Sequence, residues 1–481
     1  MNDRLMFSIL LFSITVFAAG QYVDPEKRIF LPEEEDLKSH RSPEWYNDAK
    51  LGIFIHWGLY SVPAYAPTKG SIREIMDHDR REWFKNNAYA EWYLNTLRIK
   101  GSPTYAYHLE HYGKGHDYYL FSRDFNKALK DWSPERMAGI FKRAGARYVV
   151  LTTKHHDGFT LWPSRVHNNN LPEACEPVGR DIVGELAEAV RAKGMRMGLY
   201  YSGGLDWTFN RTPIMGISPL WPDHTPQTAE YAAIADAHYR ELIEKYKPDI
   251  LWNDIYYPKK GDLLTILSDY YNLVQDGVIN NRWGVPGLHD FTTPEYREYD
   301  RIVEEKWESC RGLGYSFGYN QYEDDSHTLS PTELIQLLVD VVSKNGNLLI
   351  NVGPKPDGSI PEIQMERLME LGDWMAVNGE AIYDTHPWQS FGSRTVSGKD
   401  IRYTSREGKL YIHLFSQPGP KEVLPGLIPR AGTRVRMLGG EGSLEWKQQG
   451  TSVEVSFPGS PVGKHVFVLE LSELPSLVIN Q

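Results

Sequence analysis

Lys247-Pro248-Asp249-Ile250-Leu251-Trp252-Asn253-Asp254 is an apolar run that opens after a proline and breaks off at two polar residues. Ile250 to Trp252 has the continuous hydrophobicity of a strand buried on both faces. Asn253 and Asp254 stand where such a strand ends. In α/β folds ligands bind at the C-terminal ends of parallel strands, so an acid there is a catalytic candidate. The plain alternative is a carboxylate that caps the next loop. What favours a site is repetition, because other strands in the chain end the same way.

Upstream, Leu51-Gly52-Ile53-Phe54-Ile55 runs into His56-Trp57-Gly58. Tyr148 to Thr153 is β-branched and runs into Lys154-His155-His156-Asp157. Met197 to Tyr201 runs into Ser202-Gly203-Gly204. Downstream, Val278 to Trp283 reads as another short strand carrying Arg282, and Asn347 to Val352 as a last one. Helical segments separate them. Ser133-Pro134 opens a helix that Gly145 ends, with Ser133 as N-cap and Pro134 at the first position. Further helices are expected over Asp181 to Lys193, Thr228 to Tyr246 and Pro331 to Val342. Alternating strands and helices with polar strand ends predict a (β/α)8-like barrel. A doubly wound open sheet is the alternative, but no GxGxxG follows an early strand and there is no phosphate loop.

From Thr385 onward helical periodicity disappears. Alternating runs such as Leu410 to Phe415, Ser452 to Phe457 and His465 to Leu471, broken by Gly and Pro, predict a β-sandwich. The expected organisation is a signal peptide over 1–20, a lead-in over 21–43, a catalytic barrel over 44–385 and a sandwich over 386–481. Arg4, the apolar run Leu5 to Phe17 and the small residues Ala18-Ala19-Gly20 are the marks of the signal peptide. They predict a secreted or periplasmic protein.

The 481 residues carry a net charge of −11, which argues against a nucleic-acid partner, since phosphate binding needs a basic surface, and disfavours adhesion to an anionic membrane. Two cysteines, Cys175 and Cys310, form no disulfide framework, and their spacing does not say whether they pair. Fourteen Trp and 29 Tyr suit a pocket that is apolar and wet at once, as a sugar pocket is.

Convergent strand ends would bring His56, His155, His156, Tyr201, Asp254 and Arg282 to one pocket. Glycosidic hydrolysis with retention needs a second carboxyl near the first. Asp290, Glu295, Glu298 and Asp300 follow the Arg282 strand, and spacing does not choose among them. A metal centre built from His56, His155, His156, Asp157 and Asp254 is disfavoured: neighbouring histidines on an extended segment point to opposite sides, and there is no HxH or HExxH. No metal and no cofactor are expected.

These residues, in this order, resemble the α-L-fucosidases of glycoside hydrolase family 29. The matching stretches are Phe54 to Tyr60, Glu91-Trp92-Tyr93, Lys154 to Phe159, Leu199 to Trp207, Leu251 to Asp254, Asn281 to Val285, Ser316 to Asn320 and Asn345 to Gly353. The resemblance spans Glu44 to Tyr383. It implies a retaining exo-hydrolase that removes terminal α-L-fucose, with Asp254 as nucleophile. Thr293-Pro294-Glu295-Tyr296 resembles the Thr-Ala-Glu-Tyr motif of a bacterial subgroup of the family, with proline for alanine, which implies Glu295 as acid/base and leaves Glu298 in reserve. It further implies fucose contacts from His56, Glu91, Trp92, His155, His156, Tyr201, Arg282 and Phe317. The implied partner is a fucosylated oligosaccharide or glycoconjugate. A fucose-binding, lectin-like protein and a metal-dependent barrel hydrolase are the alternatives, and a homo-oligomer stays open.

Overall fold

The structure is a computed structural model that describes residues 28–78, 80–216, 224–459 and 461–478. The expected signal peptide, Met1 to Gly20, lies outside the described residues. Seven parallel strands form one sheet: β1 (Leu51–Ile55), β2 (Tyr148–Lys154), β3 (Arg196–Ser202), β4 (Ile250–Asp254), β5 (Val278–Ile279), β6 (Trp307–Gly312) and β7 (Gly346–Val352). Their order is β5-β4-β3-β2-β1-β7-β6. Every residue of β1, β2, β4 and β7 is buried, which is why these strands read as continuous apolar runs rather than alternating ones.

The two edges of this sheet, β5 and β6, are bridged by residues 291–295. Asn280 pairs with Phe291, Thr292 with Trp307 and Glu295 with Cys310, all parallel. The curled sheet is thereby closed into a TIM-like barrel, and the closing segment is the one that carries Glu295. The strand expected over Val278 to Trp283 stops at Ile279. Beyond it the Asn280 side chain takes over the ladder, accepting from the Asn253 amide at 3.0 Å and donating to the Asn253 carbonyl at 2.8 Å. Arg282 is therefore presented from a turn, not from a strand.

Helices pack outside the sheet, with caps where the sequence places them. Ser133 accepts from the Arg136 amide to start Pro134–Arg143, and Thr228 accepts from the Tyr231 amide to start Ala229–Tyr246. Ser330 and Glu333 form a capping box on Pro331–Ser343. Among the described residues no helix is long and apolar enough to cross a membrane.

From His386 the chain is antiparallel. A five-stranded sheet, built on His386–Arg394, Asp400–Arg406, Lys409–Leu414, Phe467–Leu471 and Val435–Met437, faces a three-stranded one of Lys421–Pro425, Ser452–Ser456 and Trp446–Gln449. Ile401, Ile412 and Leu469 of the first share a core with Leu424, Val453 and Val455 of the second. This unit is fastened to the barrel helices: Trp374 Nε1 donates to the Val466 carbonyl at 2.8 Å, and Arg402 pairs with Asp340 at 2.6 Å. It lines no part of the pocket described next.

Candidate active site

Side chains alternate along a strand, and residues side by side in a parallel pair point the same way. Trp252 and Asp254 of β4 point into the barrel mouth, while Asn253 points out and accepts from Tyr239 on the flanking helix at 2.6 Å. Register pairs Tyr200 with Trp252 and Tyr201 with Asn253. Tyr200 therefore lines the pocket. Tyr201 does not: it is buried on the outer face, its hydroxyl 2.9 Å from His238 Nδ1. The expectation for Tyr201 is corrected by one residue, and strand parity is the reason.

The pocket is a cavity of about 390 Å³, within the roughly 300–1,000 Å³ usual for small-ligand sites. His56, Glu91, Trp92, His155, His156, Asp254, Arg282, Glu295 and Phe317 all line it. His155 and His156 do so together, because they follow the last residue of β2 and are free of its alternation. Of the other three acidic candidates, Asp290 is tied to His40, Tyr271 and the Ile279 amide. Glu298 and Asp300 are exposed and outside the cavity.

Arg282 organises the two carboxylates. Its Nη1 donates to Asp254 Oδ1 at 2.9 Å and its Nη2 to Glu295 Oε2 at 3.1 Å. Thr293 Oγ1 accepts from its Nε at 2.9 Å, and the guanidinium lies over the Trp252 ring at 4.7 Å. Burial opposes this charge, but Asp254, Cys310 and Glu295 outweigh burial and raise its pKa. Tyr200 gives Asp254 Oδ2 a second hydrogen bond at 2.7 Å, and Tyr89 gives Glu295 Oε1 one at 3.0 Å. The side chain of Asp254 is 10% exposed and that of Glu295 32%, so Asp254 sits toward the floor and Glu295 at the mouth.

The histidines serve as neutral hydrogen-bonding groups. Burial takes His56 down to about 3 and holds His155 and His156 well below the ordinary histidine range. The Asn351 amide donates to the Phe317 carbonyl, so its oxygen accepts from His56 Nδ1 at 2.7 Å. His56 Nε2 is left as an acceptor. Ser202 Oγ donates to the Leu205 carbonyl and accepts from His156 Nδ1 at 2.6 Å, which leaves His156 Nε2 as an acceptor 4.0 Å from Asp254. Such nitrogens suit sugar hydroxyls. Glu91 is buried. It accepts from the Gly318 amide at 2.8 Å and from Ser316 at 3.3 Å, and burial pushes it up to about 7. Phe317, Trp92 and Phe54 give the cavity its apolar walls.

Tyr89, Tyr200 and Asn281 also line the cavity, and Asn351 orients His56. Tyr200 had no legible signal of its own, because only the register of β3 against β4 tells it from Tyr201. Cys175 and Cys310 are both free, and Cys310 lies on the pocket floor. Among the described residues no group of His, Cys, Asp and Glu could hold a metal ion.

A parallel barrel whose mouth holds two carboxylates on one arginine, ringed by aromatics and neutral imidazoles, has the build of a glycoside hydrolase. The chain belongs to the alpha-L-fucosidase family, whose model matches residues 17–380. It is 33% identical over 444 residues to an alpha-L-fucosidase of Dictyostelium discoideum, covering 89% of this chain and 88% of that protein. The Thermotoga maritima alpha-fucosidase structure superposes with a TM-score of 0.83 at 45% identity, covering 92% of this chain and all of that one. A structure of the same bacterial enzyme in complex with fucose gives 0.81 at 43% identity with the same coverage.

The Tyr200 assignment makes a paired prediction. Tyr200→Phe removes a hydrogen bond to a charged acceptor, worth roughly 1.5–3 kcal/mol, and should lower kcat/KM about 10- to 100-fold with little change in melting temperature. Tyr201→Phe should lower the melting temperature and leave kcat/KM near wild type. The reverse pattern in steady-state rates and thermal melts would overturn the assignment.

Proposed function

We propose that this protein is a retaining exo-glycosidase that hydrolyses terminal α-L-fucose through a covalent glycosyl-enzyme. Support comes from the family and from one observation above all: Arg282 holds Asp254 at the floor and Glu295 at the mouth on its two terminal nitrogens. That arrangement is compatible with the short carboxyl separation, about 5–5.5 Å, of retaining enzymes. Asp254 attacks the anomeric carbon as the glycosidic C–O bond breaks, and Glu295 gives its proton to the departing oxygen. Glu295 then takes a proton from water as that water attacks the same carbon. Fucose leaves and the Asp254 carboxylate is regenerated. His56, His155 and His156 receive the sugar hydroxyls, and Phe317 and its apolar neighbours receive the 6-deoxy methyl. The apolar leader Leu5 to Phe17 supports export from the cytoplasm.

Glu91 offers a rival acid, because it is the pocket carboxyl pushed up to about 7. Its burial counts against that role, since the leaving group of an exo-enzyme departs through the mouth, where Glu295 stands. As a neutral acid below about pH 7, Glu91 can donate to a fucose hydroxyl. Above it, Glu91 becomes an acceptor only, and adds a negative charge beside two carboxylates. The expected kcat/KM on a dinitrophenyl α-L-fucoside, whose departure needs no proton from Glu295, therefore falls as pH rises through about 7, and Glu91→Gln should remove that limb while lowering the plateau. A limb that persists in Glu91→Gln would sink this assignment.

The overall test follows the first sugar released from an aryl α-L-fucoside by proton NMR. α-L-Fucose appearing first supports retention, and β-L-fucose appearing first overturns it. Fucose binding without turnover would favour the lectin-like alternative.

A further inference from the structure

A second trough of about 560 Å³ adjoins the catalytic pocket, and Tyr256 is a wall of both. Its lining includes Tyr257, Trp283, Gly284, Gln227 and Lys259. Tyr256 is held there against a backbone cost. Ile255 and Tyr256, the two residues after Asp254, have φ of 52° and 66°, a left-handed region that non-glycine residues rarely occupy. The surroundings impose it. The Tyr256 amide donates to the Arg282 carbonyl at 2.9 Å, and Asn253 Nδ2 donates to the Tyr256 and Arg282 carbonyls at 3.0 and 2.8 Å. The turn that ends the nucleophile strand thus fixes an aromatic side chain, 36% exposed, at the pocket mouth. Gly284 makes room for it: a Cβ there would stand 2.6 Å from Tyr256 Cδ1.

Strain at a site mouth points to a use, and an exposed aromatic face held on the wall between two cavities is the chemistry that receives a sugar ring. Fucose fills the enclosed pocket, so the rest of the substrate leaves past Glu295 and Tyr256. We infer that the trough beyond Tyr256 is the leaving-group subsite, which takes the neutral hexose to which fucose is attached, with the Tyr256 ring as its platform. This rests on the fucosidase function proposed above.

The test compares kcat/KM on a fucosyl disaccharide of a neutral hexose with kcat/KM on α-L-fucosyl fluoride, which has no sugar in the leaving group. Asparagine tolerates the left-handed backbone, so Tyr256→Asn removes the ring without new strain. The disaccharide-to-fluoride ratio should fall about tenfold in Tyr256→Asn, and stay within about twofold of wild type in Tyr256→Phe, which keeps the face. Should Tyr256→Asn misfold, Tyr256→His, with a smaller ring on the same backbone, should lower the ratio at least about threefold. An unchanged ratio in Tyr256→Asn, or in Tyr256→His should Tyr256→Asn misfold, or an equal fall in Tyr256→Phe, overturns the subsite. A wild type that releases no fluoride overturns the fucosidase function instead, so the two failures are told apart.

Discussion

With Asp254 as the proposed nucleophile, Asp254→Gly should lower kcat on an aryl α-L-fucoside on the order of 10^4-fold, and sodium azide should restore a large part of the rate. The size follows from removing the covalent partner while the rest of the site stays in place. Glycine leaves Tyr200, Arg282 and the neutral histidines where they are, and opens a space of carboxylate size on the pocket floor. A small anion can enter it, drawn by the Arg282 guanidinium that has lost its nearer partner. Azide then attacks the anomeric carbon from the side opposite the leaving group, in one displacement. The product is β-L-fucosyl azide, which NMR distinguishes from its anomer. Activity near wild type in Asp254→Gly would remove Asp254 from the mechanism, and rescue giving the α-azide would place the nucleophile elsewhere.

Much of this was legible in the sequence, for a physical reason. Strands buried on both faces are mostly apolar, so in β1, β2 and β4 the polar residues that end the run mark both the strand end and the barrel mouth. His56, Asp254 and the His155–His156 pair are all found this way. What was not legible depends on the register between strands distant in sequence. Tyr200 and Tyr201 are the same residue type side by side, and only the pairing of β3 with β4 says which faces inward. The closing segment 291–295 was hidden for another reason. It is joined to β5 and β6 by single bridges rather than a full ladder, and Pro294 deprives it of one amide. A strand so short has no periodicity to read. The same segment holds the second carboxylate, so the choice among Asp290, Glu295, Glu298 and Asp300 needed either the resemblance or the fold. Glu308 was likewise invisible: buried below the pocket, it accepts from Tyr46, Tyr148 and Trp252, whose ring carries Arg282.

The second large effect separates Glu295 from every other acid in the chain by its dependence on the leaving group. A sugar alkoxide is a poor leaving group and needs a proton as the bond breaks, whereas a dinitrophenolate leaves without one. Glu295→Ala should therefore lower kcat/KM about 10^2- to 10^4-fold on a fucosyl disaccharide, the range for loss of a general acid. On a dinitrophenyl α-L-fucoside kcat/KM should change little, because bond breaking to form the glycosyl-enzyme no longer needs the acid. Its kcat should still drop, because the second step needs Glu295 as base, and a burst of phenolate should precede the slow steady state. Azide needs no base. It should speed that second step and yield α-L-fucosyl azide, the anomer opposite to the one from Asp254→Gly. Glu91→Ala should make the contrasting case: as a buried group proposed to bind fucose, its loss should lower the rate by the same factor on both substrates. Glu298→Ala, exposed and outside the cavity, should stay within about twofold of wild type. If Glu91→Ala instead shows the leaving-group dependence and Glu295→Ala does not, the proton comes from the pocket interior. Arg282 would then hold Glu295 only as a counter-charge to its own guanidinium, and the mouth would have no catalytic part.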